Sequence, residues 1–543
     1  MNRIKKYQWL LLAIIPALYS LGGVYFNQLI GIFSLRNMDP EYIYFLSGMG
    51  IANGHFHLGH FDNPGTPLQV IIGLTYRLVY WIRPGDLPFM DDVFLNSDLY
   101  LNMANHVVVL LTSAALYTGG IIMLKSSGKL AFALLIQTLP FYSEITYDII
   151  GRLVPELLMP LPALLLILLT FSHVTGEEKQ MTRNKVLALA AITAFGLSIK
   201  MSWLPLAIIP LFLMPGWRYK LHYVLLTVAA FLLFALPATL EYKNFYLWMK
   251  GLFVHSGNYG SGEANFLDTT LFLQNFLTIL KTTPTLFYCL ALLTLSSIIY
   301  LTFRNKEKNG TSVLWLSAGV ATAILLHLAL ASKHYSYRYL IPTLTLIPLT
   351  AMLSFEMIHR VSPGLWNNRI ILFITLLLFI PGVKKQVVSA QIRSKGIGEE
   401  MAGKRDTWHQ ARALPGNCVK IIVSQGYGAP FQDYVIMYST AWGGPRMKDY
   451  RETLGRLYPD TYHYSTWDKQ VKTFGPPFSA AEVRHSGKPV VVYLEKDTRE
   501  LMEETLSRLI TPADSVTTAT RLIYSNPKTG EALYWLDIQE KAE

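Results

Sequence analysis

The sequence predicts an α-helical polytopic membrane protein of about 11 transmembrane helices that carries a soluble C-terminal α/β domain. Three observations predict it. The 543 residues are 52% hydrophobic and only 15% charged, and mean hydropathy is +0.31. Apolar runs of bilayer-spanning length recur between Trp9 and Pro381. Beyond Val383 the composition turns mixed and charged residues return to ordinary density, which marks a domain boundary. The expected division is therefore a membrane domain at 1–383, with an outer loop and interfacial helices at 34–99, and an outward α/β domain at 384–543.

The first span, about 9–33, follows Arg3, Lys5 and Lys6, which hold its start in the cytoplasm. No small-residue cleavage site follows it, so it is expected to stay uncleaved. Further spans are expected at about 100–124, 130–142, 153–173, 186–199, 203–214, 221–240, 284–303, 312–331, 339–358 and 370–383. Every inner loop on this count contains lysine or arginine. The formal net charge of +11 thus reflects the positive-inside rule and does not point to nucleic acid. Several of these segments are too short for a full crossing, which suggests kinked or broken helices near a cavity. The segment 67–82 carries Arg77 and runs into a polar stretch, so it reads as an amphipathic helix at the outer interface. Cys289 and Cys418 form no disulfide framework and no metal-site spacing.

In the C-terminal segment, strands are expected at 419–423, 434–438 and 489–494, a helix at 498–509, and a hairpin turning at Asn526 to Gly530. It contains no phosphate-binding glycine loop.

The stretch from Arg36 to Gln69 crowds Asp39, Glu41, His55, His57, His60 and Asp62 into one loop after a membrane span. Ionisable groups at a membrane edge are costly unless used. Asp39, Pro40 and Glu41 read as an N-cap, a first-turn proline and an acid at the positive helix end. That helix should stop near Asn53-Gly54, and a second should start at Thr66-Pro67. The same pattern also suits a helix cap with no chemical role.

Five loops meet on the outer side in this topology. Besides the first, one holds Glu144, Asp148, Arg152 and Glu156, and the next is the turn at Lys200. A fourth includes His255 within a glycine-rich run, and the fifth holds Lys333, His334, Arg338 and Tyr339. Carboxylates in one loop with Arg and Lys in others suit a reaction on a phosphorylated lipid. Cations bind the phosphate and a carboxylate takes the proton of the attacking hydroxyl. The bland readings stay open: Arg152, Lys200, Lys333 and Arg338 as snorkelling or interfacial anchors, and the His255 loop as a cover for substrate or a plain linker. The H-x-H-x-x-H-x-D series has ligand types suited to a divalent metal, although loop histidines are more often solvated or packed.

The order of these features resembles the GT-C superfamily of integral membrane glycosyltransferases. The likeness is to the protein O-mannosyltransferase-like and aminoarabinose-transferase-like group, and it rests on His60 to Gln69 (HFDNPGTPLQ), Arg152 to Glu156 (RLVPE), Lys200 in GLSIKMSWLPL, and Lys333 to Leu349. It covers about 1–383. The resemblance implies inverting transfer of a sugar from a polyprenyl-phosphate or polyprenyl-diphosphate donor to a lipid, glycan or protein acceptor outside the membrane. It implies Asp39 as base and Glu41 as a second catalytic carboxylate. It implies His60, Asp62, Arg152, Glu156, Lys200, Lys333, Arg338 and Tyr339 as substrate-binding groups, and His57 and His255 are expected to join them from the polar loops. No obligatory metal is implied, since the first loop lacks a compact Asp-x-Asp. A lipid-linked oligosaccharide ligase or polymerase shares the donor chemistry. A lipid-linked sugar flippase also needs outward cations, but the related halves with matching broken helices are missing from the sequence.

Overall fold

The computed structural model describes residues 5–36, 40–56, 59–62, 64–83, 85–176, 180–255, 267–304, 311–361, 368–425, 428–441, 447–466, 468–510 and 516–540. In chain order the first helices are α1 (Lys6–Ile30), α2 (Glu41–Ala52), α3 (Thr66–Ile82), α4 (Phe89–Leu95), α5 (Ser97–Ser127) and α6 (Leu130–Gln137). There follow α7 (Pro160–Thr175), α8 (Arg183–Ile199), α9 (Ile209–Leu213), α10 (Trp217–Phe234), α11 (Leu236–Thr239) and α12 (Tyr242–Val254). Next come α13 (Thr269–Thr282), α14 (Pro284–Phe303), α15 (Ser312–Lys333), α16 (Ile341–Leu344), α17 (Ile347–Val361) and α18 (Asn368–Arg412). The rest alternates: β1 (Val419–Ser424), α19 (Gln432–Thr440), α20 (Met447–Leu457), β2 (Thr461–Ser465), β3 (Gln470–Thr473), α21 (Ala480–His485), β4 (Val490–Leu494), α22 (Arg499–Leu509), β5 (Val516–Ser525) and β6 (Ala532–Glu540).

Six helical stretches among the described residues are long and apolar enough to cross a membrane: Lys6–Ile30, Ser97–Ser127, Pro155–Thr175, Pro284–Phe303, Ser312–Lys333 and Tyr337–Val361. Large apolar side chains stand exposed along them, among them Leu10, Ile14 and Leu18 on α1 and Leu295, Ile298 and Leu301 on α14. Such surfaces belong in lipid, and the chain is an integral membrane protein. The shorter expected spans are indeed broken. Segment 130–142 is α6 plus a 3-10 turn at Leu139–Tyr142, and 203–214 is a 3-10 run at Met201–Ile208 followed by α9.

The chain divides into two compact units. The first comprises Met1–Phe26, Phe61–Leu68 and His106–Gln391; the second comprises Asn27–His60, Gln69–Asn105 and Ile392–Glu543. In the first unit α8 packs on α10, α14 on α17, and α15 on α13 and α9.

The second unit is built on a six-stranded sheet of order β3-β2-β1-β4-β6-β5. β2, β1 and β4 run parallel, and β3, β6 and β5 are antiparallel additions. β2 and β4 are buried throughout and β1 nearly so, as expected for parallel strands covered on both faces. Around this sheet lie segments from near the other end of the sequence. Arg456 makes a bidentate pair with Asp91 at 2.7 and 2.8 Å. The Tyr458 hydroxyl and the Gln432 amide both donate to the Phe94 carbonyl. Arg36 pairs with Glu400 at 2.8 Å, and the Ala429 amide donates to the Ser34 carbonyl at 3.0 Å. Gly428, at φ +115°, lies against the Leu35 carbonyl, where a Cβ has no room. Segments 27–60 and 69–105 and the α/β domain thus form one packed body.

Two expectations change. The segment 434–438 is helix α19, because Tyr434, Val435, Ile436 and Met437 are buried consecutively between α2 and β2 and do not alternate. Helix α2 starts at Glu41 with Pro40 in the cap position and no side-chain cap bond; Asp39 lies outside the described residues. The expected span 370–383 is helical as part of α18, which runs on to Arg412. The turn of the expected hairpin is present. Its Asn526 side chain donates to the Gly403 carbonyl and to the Thr407 hydroxyl, each at 2.8 Å, which fastens it to α18.

His463 on β2 is 1% exposed, and burial pulls its imidazole down to about 4, partly offset by its bond to the Ser424 carbonyl. The unfolded chain, with histidine near its usual 6.5, binds that proton first. This contribution is fully present above about 6.5 and is lost as pH falls toward about 4, a cost of about 3 kcal/mol. Hydrogen exchange of β1 and β2 amides, corrected for intrinsic rates, should show protection falling across that window. His463→Gln should remove most of the dependence.

Candidate functional site

The sequence around Lys200 is folded by one glycine. Trp203 turns back so that its indole lies where a Cβ on Gly196 would stand. The Lys200 amide donates to the Gly196 carbonyl at 3.1 Å, and the Trp203 amide to the Lys200 carbonyl at 3.0 Å. Lys200 itself is extended, at φ −160° and ψ 136°, between α8 and the 3-10 run. The side chain forms a buried ion pair with Glu156, and its Nζ stands 5.1 Å from the centroid of the Tyr339 ring.

Glu156 sits in a 3-10 turn, Pro155–Leu158, at the head of one candidate span, and Arg338 and Tyr339 sit in another, Tyr337–Leu340, at the head of a second. Arg338 faces two carboxylates, with Nε 3.5 Å from Glu144 and Nη2 3.6 Å from Asp148. Arg152 is 1% exposed between Asp148 and Glu156 in sequence, and its backbone amide donates to Ile149 at 2.8 Å. Three of the outer loops expected from sequence therefore converge: 143–156, the turn at Lys200, and 333–339. Glu144, Asp148 and Glu156 balance Arg152, Lys200 and Arg338 in a largely buried site, which is the condition under which charges persist away from water.

Tyr339 also lines an apolar cavity of about 130 Å³ together with Trp248, Leu252, Leu330, Lys333 and His334. His334 Nε2 lies 3.0 Å from the Leu252 carbonyl, to which it donates. His255 is half-buried at the C-terminal end of α12, its amide bonded to the Gly251 carbonyl at 2.9 Å. Asp62, half-buried, falls in the Phe61–Leu68 segment of the same unit.

The remaining candidates belong to the second unit. Glu41 is fully buried in the first turn of α2. His60 meets the Tyr44 ring edge-on at 5.2 Å, and its carbonyl accepts from the Gln69 amide at 3.2 Å. His57, like Asp39, lies outside the described residues. No group of three or more metal-ligating side chains occurs among the described residues; His57 of the histidine series is not one of them. Sequence reasoning missed Asp98. Its carboxylate accepts from the Ser34 amide (3.2 Å), the Ser34 hydroxyl (3.3 Å) and the Tyr42 hydroxyl (3.1 Å), tying α5 to α2. The available signal was an acid in the first turn of an apolar helix.

No known family profile matches the chain, and no curated protein does. Among solved structures, one titled ArnT from Cupriavidus metallidurans bound to undecaprenyl phosphate aligns over 98% of each chain with a TM-score of 0.49 and 10% sequence identity.

Removing one partner of a buried pair strands the other charge, whereas replacing both with apolar groups does not. Lys200→Met should therefore destabilise the protein by about 3–5 kcal/mol. The double variant Lys200→Met/Glu156→Leu should recover a good part of that loss in thermal unfolding in detergent.

Proposed function

We propose that this chain is a GT-C-type glycosyltransferase that moves a sugar, with inversion, from a polyprenyl-phosphate-linked donor to an acceptor at the outer face of the membrane. The observation that carries this reading is the cation-carboxylate cluster of Lys200, Glu156 and Arg338 at the heads of two candidate spans, joined through Tyr339 to an apolar cavity. A lipid phosphate has the matching shape, an anion on an apolar chain. The sequence resemblance points the same way.

In this reading the acceptor hydroxyl attacks the anomeric carbon opposite the phosphate. The bond from that carbon to the phosphate oxygen breaks as the new glycosidic bond forms, and Asp39 takes the hydroxyl proton. Glu41 supports the acceptor, and His57, His60, Asp62 and His255 contact the sugar or acceptor. Lys200, Arg152 and Arg338 hold the departing phosphate. Arg338, 3.5 and 3.6 Å from Glu144 and Asp148, supplies a planar guanidinium suited to bidentate contact with a phosphate. Lys200, held by Glu156, serves as a fixed positive pole. Lys333 lines the same cavity and is assigned in this reading to the lipid phosphate as well.

With purified protein in nanodiscs and radiolabelled polyprenyl-phosphate sugars, Asp39→Asn should lower turnover by roughly 10²–10⁴-fold while the protein stays folded. Unaltered turnover would remove the base from this mechanism. Because no step needs a metal, EDTA should leave the rate unchanged; a rate lost to EDTA and restored by one divalent cation would overturn that part. Donor flipping across vesicles without sugar transfer would favour a flippase.

A further inference from the structure

The α/β domain holds a cavity that the transfer chemistry does not use. In its sheet β1 lies between β2 and β4, all parallel, and the chain leaves β1 for β2 on one side before crossing to β4 on the other. Beyond the carboxyl ends of these three strands lies a polar cavity of about 300 Å³. Its walls come from the end of each strand: Ser424 and Gln425 after β1, Thr466 after β2, and Glu495 after β4. This is the place where open α/β sheets take ligands, at the reversal of strand order, and the volume is that of a small-molecule site.

The polar groups are organised around Glu495. Its Oε2 accepts from the Ser424 hydroxyl at 2.9 Å and from the Gln425 amide at 2.7 Å, while its own amide donates to the Val423 carbonyl at 3.0 Å. The carboxylate is thereby fixed in orientation, and Oε1 accepts no hydrogen bond among the described residues. The Thr466 hydroxyl, shielded from solvent on the opposite wall, has no hydrogen-bond partner among the described residues. Lys469, the one non-glycine among the described residues with positive φ (+55°), also lines the cavity and pairs with Glu504 at 2.5 Å. Backbone conformations of this kind are retained where a side chain must be aimed.

The charges select the ligand class. Lys469 and Glu504 neutralise each other, which leaves Glu495 and Glu500 against Lys496. The start of α22, a natural anion site, is occupied by its own sequence: Thr498 caps the Leu501 amide at 3.4 Å and Glu500 stands in the first turn. A phosphate would meet net negative charge, to which Glu500 in the first turn of α22 contributes. Fixed carboxylate oxygens, a side-chain amide and a free threonine hydroxyl instead suit a ligand rich in hydroxyl groups, neutral or cationic. We propose that this cavity is a saccharide-binding site, separate from the polar cluster among the membrane helices. The proposal stands whether or not that cluster transfers sugar.

Full-length protein in nanodiscs is titrated by saturation-transfer NMR and calorimetry with D-glucose, D-mannose, D-galactose, D-glucosamine and N-acetyl-D-glucosamine, and with inorganic phosphate and AMP. At least one saccharide should bind. Glu495→Gln should weaken it roughly tenfold or more, the scale of one lost hydrogen bond to a sugar hydroxyl. Thr466→Val, which removes a hydroxyl and leaves the strand-end bonds intact, should do the same and guards against misfolding of the Glu495 variant. Glu503→Gln, on the exposed face of α22, should bind as the parent does. Absence of saccharide binding, binding insensitive to both substitutions, or preferred binding of phosphate or AMP would each overturn the proposal. None of these readouts depends on turnover, so Asp39→Asn protein should bind the saccharide normally even if transfer is lost or was never present.

Discussion

A charge removed from water must find its opposite, and much of the first unit is arranged by that constraint. Lys200 and Glu156 answer it where α8 ends and a candidate span begins. Lys129, Glu356 and Arg360 answer it again, with contacts of 3.1 and 2.9 Å, and Arg360 also donates to the Val174 carbonyl near the end of α7 at 2.9 Å. Backbone groups face the same demand. The chain breaks into 3-10 turns at Leu139–Tyr142, Pro155–Leu158, Met201–Ile208 and Tyr337–Leu340, and most of these breaks adjoin the polar cluster. Irregular backbone at membrane depth survives only where protein or a water-lined space meets its unpaired groups. Broken helices and a buried charge cluster are thus two expressions of one requirement, and they coincide at the candidate site.

Much of this was legible in the sequence. The start of α3 at Thr66-Pro67 followed from proline's fit to the first helical turn, and the end of α2 near Asn53-Gly54 followed from the glycine, which takes φ +77° in the structure. The partners of Lys200 were all named from their loops, because ionisable residues between apolar runs are few and conspicuous. What stayed hidden depended on tertiary context. The run from Tyr434 to Met437 has the β-branched and aromatic composition of a strand, yet burial on every side made it a helix. The Pro381-Gly382 pair looks like a helix end, but α18 passes through it. No local pattern announces that Arg456 will find Asp91, since the pairing spans most of the chain.

The second unit shows how a loop at a membrane edge acquires a fixed shape. Helices α2 and α4 are short, and short helices are marginal by themselves in water. Here the buried Asp98 carboxylate holds Ser34 and Tyr42, Phe94 packs on Tyr450, and the α/β domain supplies Gln432, Arg456 and Tyr458 to the same segment. The stretch richest in candidate chemistry is therefore bordered by an ordered frame.

That frame has a history written into the order of synthesis. Its first pieces, Asn27–His60 and Gln69–Asn105, leave the ribosome early, and its last, Ile392–Glu543, only after about 290 intervening residues. At cellular elongation rates the delay is on the order of 15–60 s. Throughout that interval Phe94, Asp91 and the Ser34 carbonyl lack the groups that will cover them. A nascent chain halted before Ile392–Glu543 is made would leave this surface uncovered, so the frame of the loop is complete only once that later segment has folded.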